Sequence, residues 1–282
     1  KEAGINPNKF WYERSQAIPW STPPTPENVL DMSDDPIFRW FPNTEMNTSY
    51  CCLDHQVAQG RGDQPAVIHH NSYANSEVEE TTIYTYSQLL EKVSKFAGAL
   101  SQHGVVKGDR VVIYMPMIPE AIVAMLACAR LGAVHSVVFG GFASKELSSR
   151  IQDAEPKAIV TASYGNEPGK VISYRPLVKG AIDLLRSNKK EEEGPLEEQG
   201  WHIDNVALFM FNRPSSKTST TTTEMTIEGE IDMAIAEADA PPHPPVMVSG
   251  TDPLYVLYTS GTTGQPKGVV RDNAGHAVTH IC

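Results

Sequence analysis

The segment Thr259-Ser260-Gly261-Thr262-Thr263-Gly264-Gln265-Pro266-Lys267-Gly268 concentrates hydroxyl side chains, glycines and one lysine in a single short stretch. That mixture suits phosphate. Glycines let backbone N–H groups approach an anion and form a concave nest. The hydroxyls of Thr259, Ser260, Thr262 and Thr263 add donors, and Lys267 adds a charge on a flexible stem. No acidic residue within the loop opposes an anion. A Walker-type P-loop needs Gly-Lys-Ser/Thr running into a helix. Here Pro266 separates Gly264 from Lys267, Gly268 follows the lysine, and Val269-Val270 read as a second strand. The ordinary P-loop reading therefore fails twice. The competing reading is a polar hairpin loop with no ligand, and the density of donors argues against it.

Other reactive side chains are scattered. His135 sits mid-strand and reads as a core histidine with its hydrogen bonds satisfied. His276 follows the loop and could line the side where a carboxylate binds, without an assigned role. His69-His70 reads as a surface pair, and Glu79-Glu80 as a solvated loop. The four cysteines, Cys51, Cys52, Cys128 and Cys282, form neither a CxxC nor a Cys/His metal pattern and are too few for a disulfide framework. The adjacent Cys51 and Cys52 read as one buried and one exposed thiol. No metal ligand and no certain catalytic residue is assigned.

The elements that must position the loop form an alternating series. Ile83 to Tyr86 reads as a strand, and Ser87 as the cap of a helix ended by Gly104. Arg110 to Met115 is a strand, Pro119 opens a helix through Leu131, and Gly132 ends it. Ala133 to Phe139 is the next strand, Ser144 caps a helix through Ala154, and Lys157 to Ala162 is a further strand. Val206 to Phe211 reads as a buried strand, Ile227 to Ala238 as a helix, and Tyr255 to Tyr258 as the strand feeding the loop. Strands alternating with helices of this length predict a doubly wound, mostly parallel α/β sheet flanked by helices. Such sheets bind ligands beyond the carboxyl ends of their strands. Residues 1–75 read instead as an extended arm, with aromatics such as Trp11, Trp20 and Trp40 set among prolines, lying over the α/β body of residues 76–282. Biased runs near 187–200 and 213–225 read as loop insertions.

A net charge of −11 argues against nucleic acid or an anionic membrane as the main partner. The longest apolar stretch, Ile118 to Phe142, contains Glu120, Arg130 and His135 and reads as no membrane span. Cysteine usage points to a reduced, intracellular setting, with mitochondrial matrix and cytosol both open because residue 1 is Lys. The lysine start and the abrupt Cys282 read as truncation at both ends.

Tyr258 to Gly268 resembles the phosphate loop of the adenylate-forming superfamily, which includes acyl-CoA synthetases, peptide-synthetase adenylation domains and firefly luciferase. Val111 to Ala121, Ala127 to Phe142, Gly60 to Ala66 and the aromatic arm are similar to the short-chain acyl-CoA synthetases in particular. Gln265 and Val270-Arg271-Asp272-Asn273 look more like propionyl-CoA than acetyl-CoA synthetases. The resemblance implies the N-terminal part of the large domain, incomplete, of an ATP-dependent ligase. Such an enzyme makes acyl-CoA, AMP and pyrophosphate from a carboxylate, ATP and CoA through an acyl-adenylate, with Mg²⁺ assisting. It implies ATP phosphates at Thr259, Ser260, Gly261, Thr262, Thr263, Gly264 and Lys267. It also implies coenzyme A against Phe139-Gly140-Gly141 and at the loop Glu167-Pro168-Gly169-Lys170. Acetyl-CoA synthetases carry arginine at the first and last positions of that loop, and here only Lys170 keeps the charge. The acyl pocket, the adenine and Mg²⁺ segment, the ribose-binding aspartate and the mobile C-terminal domain with its lysine are expected to follow Cys282, so the chain by itself is expected to be inactive. Propionate is the favoured substrate. Acetate, or a non-catalytic truncated relative that retains nucleotide binding, stands as the alternative.

Overall fold

The computed structural model describes residues 6–71, 80–167, 170–192, 201–214, 226–259 and 267–280. In the N-terminal region, α1 (Pro7–Ser15) is followed by the short strands β1 (Leu30–Asp31), β2 (Arg39–Trp40) and β3 (Glu45–Met46). A hairpin of β4 (Pro65–Asn71) and β5 (Glu80–Thr85) leads into α2 (Tyr86–Gln102). The alternating series then runs β6 (Arg110–Met115), α3 (Pro119–Leu131), β7 (Val134–Phe139), α4 (Ser144–Ala154) and β8 (Ala158–Ala162). After the hairpin of β9 (Tyr164–Glu167) and β10 (Lys170–Ser173) come α5 (Arg175–Glu192), β11 (Ala207–Phe211), β12 (Glu230–Asp232) and α6 (Met233–Asp239). The last elements are β13 (Val248–Ser249), β14 (Pro253–Thr259), β15 (Lys267–Asp272) and α7 (Asn273–Thr279).

One seven-stranded sheet, in the order β12-β11-β8-β6-β7-β14-β15, organises the body. All its neighbours pair in parallel except β14 and β15, which form an antiparallel edge pair. The buried strands are apolar on both faces, as a helix-covered parallel sheet requires. Val111, Ile113 and Val160 face α2, α3 and α6 around Phe96 and Phe209. Val112, Tyr114, Val138 and Ile159 face α4 and α5. The doubly wound expectation thus holds, and the last strand pair extends the same sheet.

The arm's aromatics form a third core. Trp11, Trp20, Trp40, Phe41 and Met46 pack with Ala274 and Val278 of α7. Asn47, fully buried, donates from Nδ2 to the carbonyls of Ala129 and Val246 at 2.8 Å, tying the arm to the end of α3. Gly98, inside α2, lies so close to the Pro241 carbonyl that an added Cβ would stand 2.0 Å from its oxygen.

Four local expectations are corrected. The cap of α2 is Thr85 rather than Ser87, because Thr85 Oγ1 accepts from Gln88 N while the Gln88 side chain accepts from Thr85 N, a complete capping box. Ser144 is the first residue of α4 and caps nothing, since its hydroxyl donates instead to the Leu177 carbonyl at 2.9 Å. The stretch Ile227 to Ala238 is not one helix. Glu230–Asp232 pairs with β11 as an edge strand, and Asp232 then caps the short α6 by accepting from Ala234 and Ile235 N. The arm holds a helix, Pro7–Ser15, where only extended chain was expected.

Candidate functional site

The connections of the sheet decide where a ligand can sit. From β6 the chain passes through α3 on one face to β7, and from β7 through α4 on the other face to β8. The helices following β6 and β7 therefore diverge, which opens a crevice outside their carboxyl ends. Met117, 91% exposed, and Phe139, 68% exposed, stand there. On the other side of β7 lies β14, paired in parallel through Tyr255 and His135. Four residues beyond that pair on each strand bring Phe139 and Thr259 to the same carboxyl end.

The two stems of the hydroxyl-rich loop are described, and its interior, Ser260, Gly261, Thr262, Thr263, Gly264, Gln265 and Pro266, lies outside the described residues. Thr259 pairs with Lys267 across the antiparallel edge, its hydroxyl donating toward the Lys267 carbonyl at 3.5 Å. Both residues are exposed, so the Lys267 ammonium is accessible to an anion at the loop's base. A cation and a hydroxyl at the mouth of a tight strand pair fit a phosphate chain. Gly268 has a local reason as well: a Cβ there would come 3.1 Å from Val256 Cγ1 and 3.5 Å from the Tyr258 ring, crowding the strand that carries the loop.

The turn after β7 divides the work expected of its residues. Phe139 keeps an exposed ring against Phe142, centroid to centroid 5.7 Å. Gly140 has a structural reason of its own. An added Cβ would lie 2.3 Å from the Tyr174 hydroxyl and 2.8 Å from the Met115 carbonyl oxygen, so the glycine serves the seating of Tyr174 between the turn and Gly165. Gly141 has a φ of +121°, which an L side chain rarely adopts, and its N–H points at the Tyr114 hydroxyl at 3.4 Å. Phe139 is thus the part of this trio that offers a free aromatic face, and it fits a nucleobase. Glu167 and Lys170 pair opposite each other across the β9–β10 turn, and Lys170 is exposed. Pro168 and Gly169 lie outside the described residues. Among the described residues, no three His, Cys, Asp or Glu side chains converge on a metal position.

The histidines near the loop form a stack that sequence reasoning missed. His135 and Tyr255 lie 5.6 Å apart by centroid, Tyr255 and His276 5.1 Å, and His276 and His280 4.3 Å. Tyr255 Oη and His276 Nδ1 are 3.3 Å apart. His135 is not the satisfied core histidine expected, because its Nδ1 is buried without a hydrogen-bond partner. It borders a cleft of about 390 Å³ with Cys52, Met125, Tyr255 and His276. Burial, with His276 as a smaller cause, pushes its pKa down from 6.5 to about 4. The unfolded chain binds this proton near pH 6.5 and the folded chain only near pH 4, so stability falls as the pH drops through that window. Between pH 6.5 and pH 5 the loss from this group is about 2 kcal/mol. Urea titrations at the two pH values should show a correspondingly smaller loss in His135→Phe. An unchanged loss would mean that His135 is solvated or paired in solution.

The model of the AMP-binding enzyme family matches residues 53–281, and that of the acetyl-coenzyme A synthetase N-terminus matches residues 1–52. The chain is 42% identical over 273 residues to human acyl-CoA synthetase short-chain family member 3, mitochondrial, covering 97% of this chain and 36% of that protein. It is 37% identical over 267 residues to an acetyl-coenzyme A synthetase of Streptomyces avermitilis, covering 95% of this chain and 37% of the relative. Among solved structures, the acetoacetyl-CoA synthetase from Streptomyces lividans superposes with a TM-score of 0.78 at 27% identity, over 98% of this chain and 38% of that one. The chain therefore spans well under half the length of these relatives. Among the described residues no helix is long and apolar enough to cross a membrane. With its family match running from the end of the aromatic arm through the phosphate-type loop and beyond, this chain belongs to the AMP-binding enzyme family.

Proposed function

We propose that the chain is the N-terminal portion of an ATP-dependent short-chain acyl-CoA ligase, with propionate as its carboxylate and acetate as the nearest alternative. The observation that carries the reading is the placement of Thr259 and Lys267 at the carboxyl end of β14, beside Phe139 at the end of β7. One position suits a phosphate chain and its neighbour suits a second nucleotide. A carboxylate oxygen attacks the α-phosphorus of ATP and pyrophosphate leaves. The CoA thiolate then attacks the acyl carbonyl and AMP leaves. Thr259, Ser260, Gly261, Thr262, Thr263, Gly264 and Lys267 hold and neutralise the phosphates, which is most of what such a transfer asks of a protein. Mg²⁺, when bound, supplies further charge neutralisation, and no described residue is assigned to it. Phe139 stacks the CoA adenine and Lys170 meets its phosphates, while Glu167 at the opposite stem disfavours them. Relatives whose names carry the word mitochondrial put the matrix ahead of the cytosol for this reading.

The propionate preference is supported by Gln265 and Val270 to Asn273 alone. It is tested by carboxylate-dependent ATP–pyrophosphate exchange in the polypeptide built out to the length of its relatives. A kcat/KM for propionate above those for acetate and acetoacetate is the expected result. Equal or reversed values would move the reading to another short-chain acid, and no exchange with any of them would remove the ligase assignment.

A further inference from the structure

Helix α4 carries a feature that the site reading does not use. The Arg150 guanidinium lies 4.6 Å from the ring centroid of Phe142 and 5.8 Å from that of Tyr258. Its Nη1 donates to the Glu146 carbonyl one turn back at 2.7 Å, which fixes the side chain along its own helix. One turn on, the Asp153 carboxylate accepts a hydrogen bond from the Tyr258 hydroxyl. Phe142 in turn packs on Phe139. One helix face therefore joins the turn after β7 to the last strand residues before the hydroxyl-rich loop. Tyr258 is held from three sides: its ring edge lies over Gly268, its face meets Arg150, and its hydroxyl is bound by Asp153. Burial and the Asp153 charge both raise the phenol pKa, so the hydroxyl stays protonated and donating through the neutral range.

We propose that Arg150 and Asp153 are positioning residues that lock Tyr258 and thereby set the mouth of the loop relative to the Phe139–Phe142 turn. The proposal rests on the reading of the loop as the ATP phosphate site. The physical basis is preorganisation. Anchoring the stem residue next to a binding segment removes conformations of that stem before the anion arrives. A cation between two aromatic rings and a phenol–carboxylate hydrogen bond are individually modest on a surface. Here both act on the one residue next to Thr259. The same link places the aromatic platform and the first stem of the loop on a shared support.

The test uses the polypeptide built out to the length of its relatives, read by ATP–pyrophosphate exchange. Tyr258→Phe keeps the ring and loses the hydroxyl, and Asp153→Ala loses the acceptor. Each is expected to raise the KM for ATP about fivefold, as the loss of one net hydrogen bond does. The KM for the carboxylate should stay unchanged, and the melting temperature should fall by no more than a few degrees. The double variant should be no worse than either single one, because both remove the same bond. Asp153→Asn, which keeps an acceptor oxygen, should recover most of the loss. An unchanged KM for ATP in Tyr258→Phe, or single effects that multiply in the double variant, would overturn the proposal. Lys267→Ala in the same assay separates the two readings. If it impairs exchange and Tyr258→Phe does not, only the positioning role falls; if it has no effect, the phosphate-loop reading falls and the positioning role with it.

Discussion

In the polypeptide built out to the length of its relatives, and on the proposed ligase reading, replacing Lys267 by alanine is expected to slow acyl-adenylate formation about a hundredfold or more, the usual cost of removing an electrostatic donor from a charge-developing centre. Formation of the thioester from supplied acyl-adenylate should change far less. The difference follows from what each half-reaction asks of the residue. Adenylation separates pyrophosphate from the α-phosphorus, and charge accumulates on the leaving oxygens. Lys267 begins β15 directly after the loop, pairs with Thr259 across the edge and is exposed, so its ammonium can reach that charge. In the second step pyrophosphate has already gone, and little charge then develops near the loop. Single-turnover measurements of the two half-reactions, with ATP in one and supplied acyl-adenylate in the other, separate these contributions. A Lys267→Arg variant keeps the charge with a different shape and should fall between. Equal losses in both steps would mean that Lys267 supports the fold of the β14–β15 edge and does not act on ATP.

The parts of this fold that were legible in the sequence share a physical cause. Strands β6, β7 and β8 are largely buried on both faces and read as mostly apolar runs, and α3 is marked at its two ends by Pro119 and by Gly132 with a φ of +71°. Signals written into a single element survive without knowledge of its neighbours. What was not legible depends on residues far apart. The strand Glu230–Asp232 exists because β11 offers it an edge, and of its three residues only Ile231 favours a strand. The bond from Tyr258 to Asp153 spans 105 positions, and the arrangement of Arg150 and Asp153 on α4 was visible without any hint of what they face. Gly140 adds a case of the same kind: its close approach to the Tyr174 hydroxyl and the Met115 carbonyl depends on residues far away in the chain. The loop's chemistry, with its interior outside the described residues, still rests on the identity of its side chains and on the two stems that hold it.

The second large effect is expected in the arm, at a pair that no motif announced. Arg130, near the end of α3 and only 4% exposed, makes a two-pronged contact with Asp54 at 2.7 and 3.0 Å. It also donates from Nε to the His243 carbonyl at 2.6 Å. A buried guanidinium has given up its water, and Asp54 and His243 replace that water with directed acceptors. Asp54→Ala leaves the cation buried beside one carbonyl. The expected cost is about 3–5 kcal/mol, which is a large share of the roughly 5–15 kcal/mol that holds a typical domain together. Urea unfolding should show the midpoint falling sharply in Asp54→Ala and less in Asp54→Asn, which retains an acceptor. Arg130→Met combined with Asp54→Leu should recover much of the loss, since it removes the charge along with its partner and leaves apolar contacts. The comparison decides what the pair is for. If the double variant is as stable as the parent yet the arm becomes sensitive to protease, the ion pair serves to specify how the arm docks and not to add net stability. If Asp54→Ala costs less than about 1 kcal/mol, the pair behaves as an ordinary surface contact, and the arm is held instead by Asn47 and the tryptophan cluster over α7.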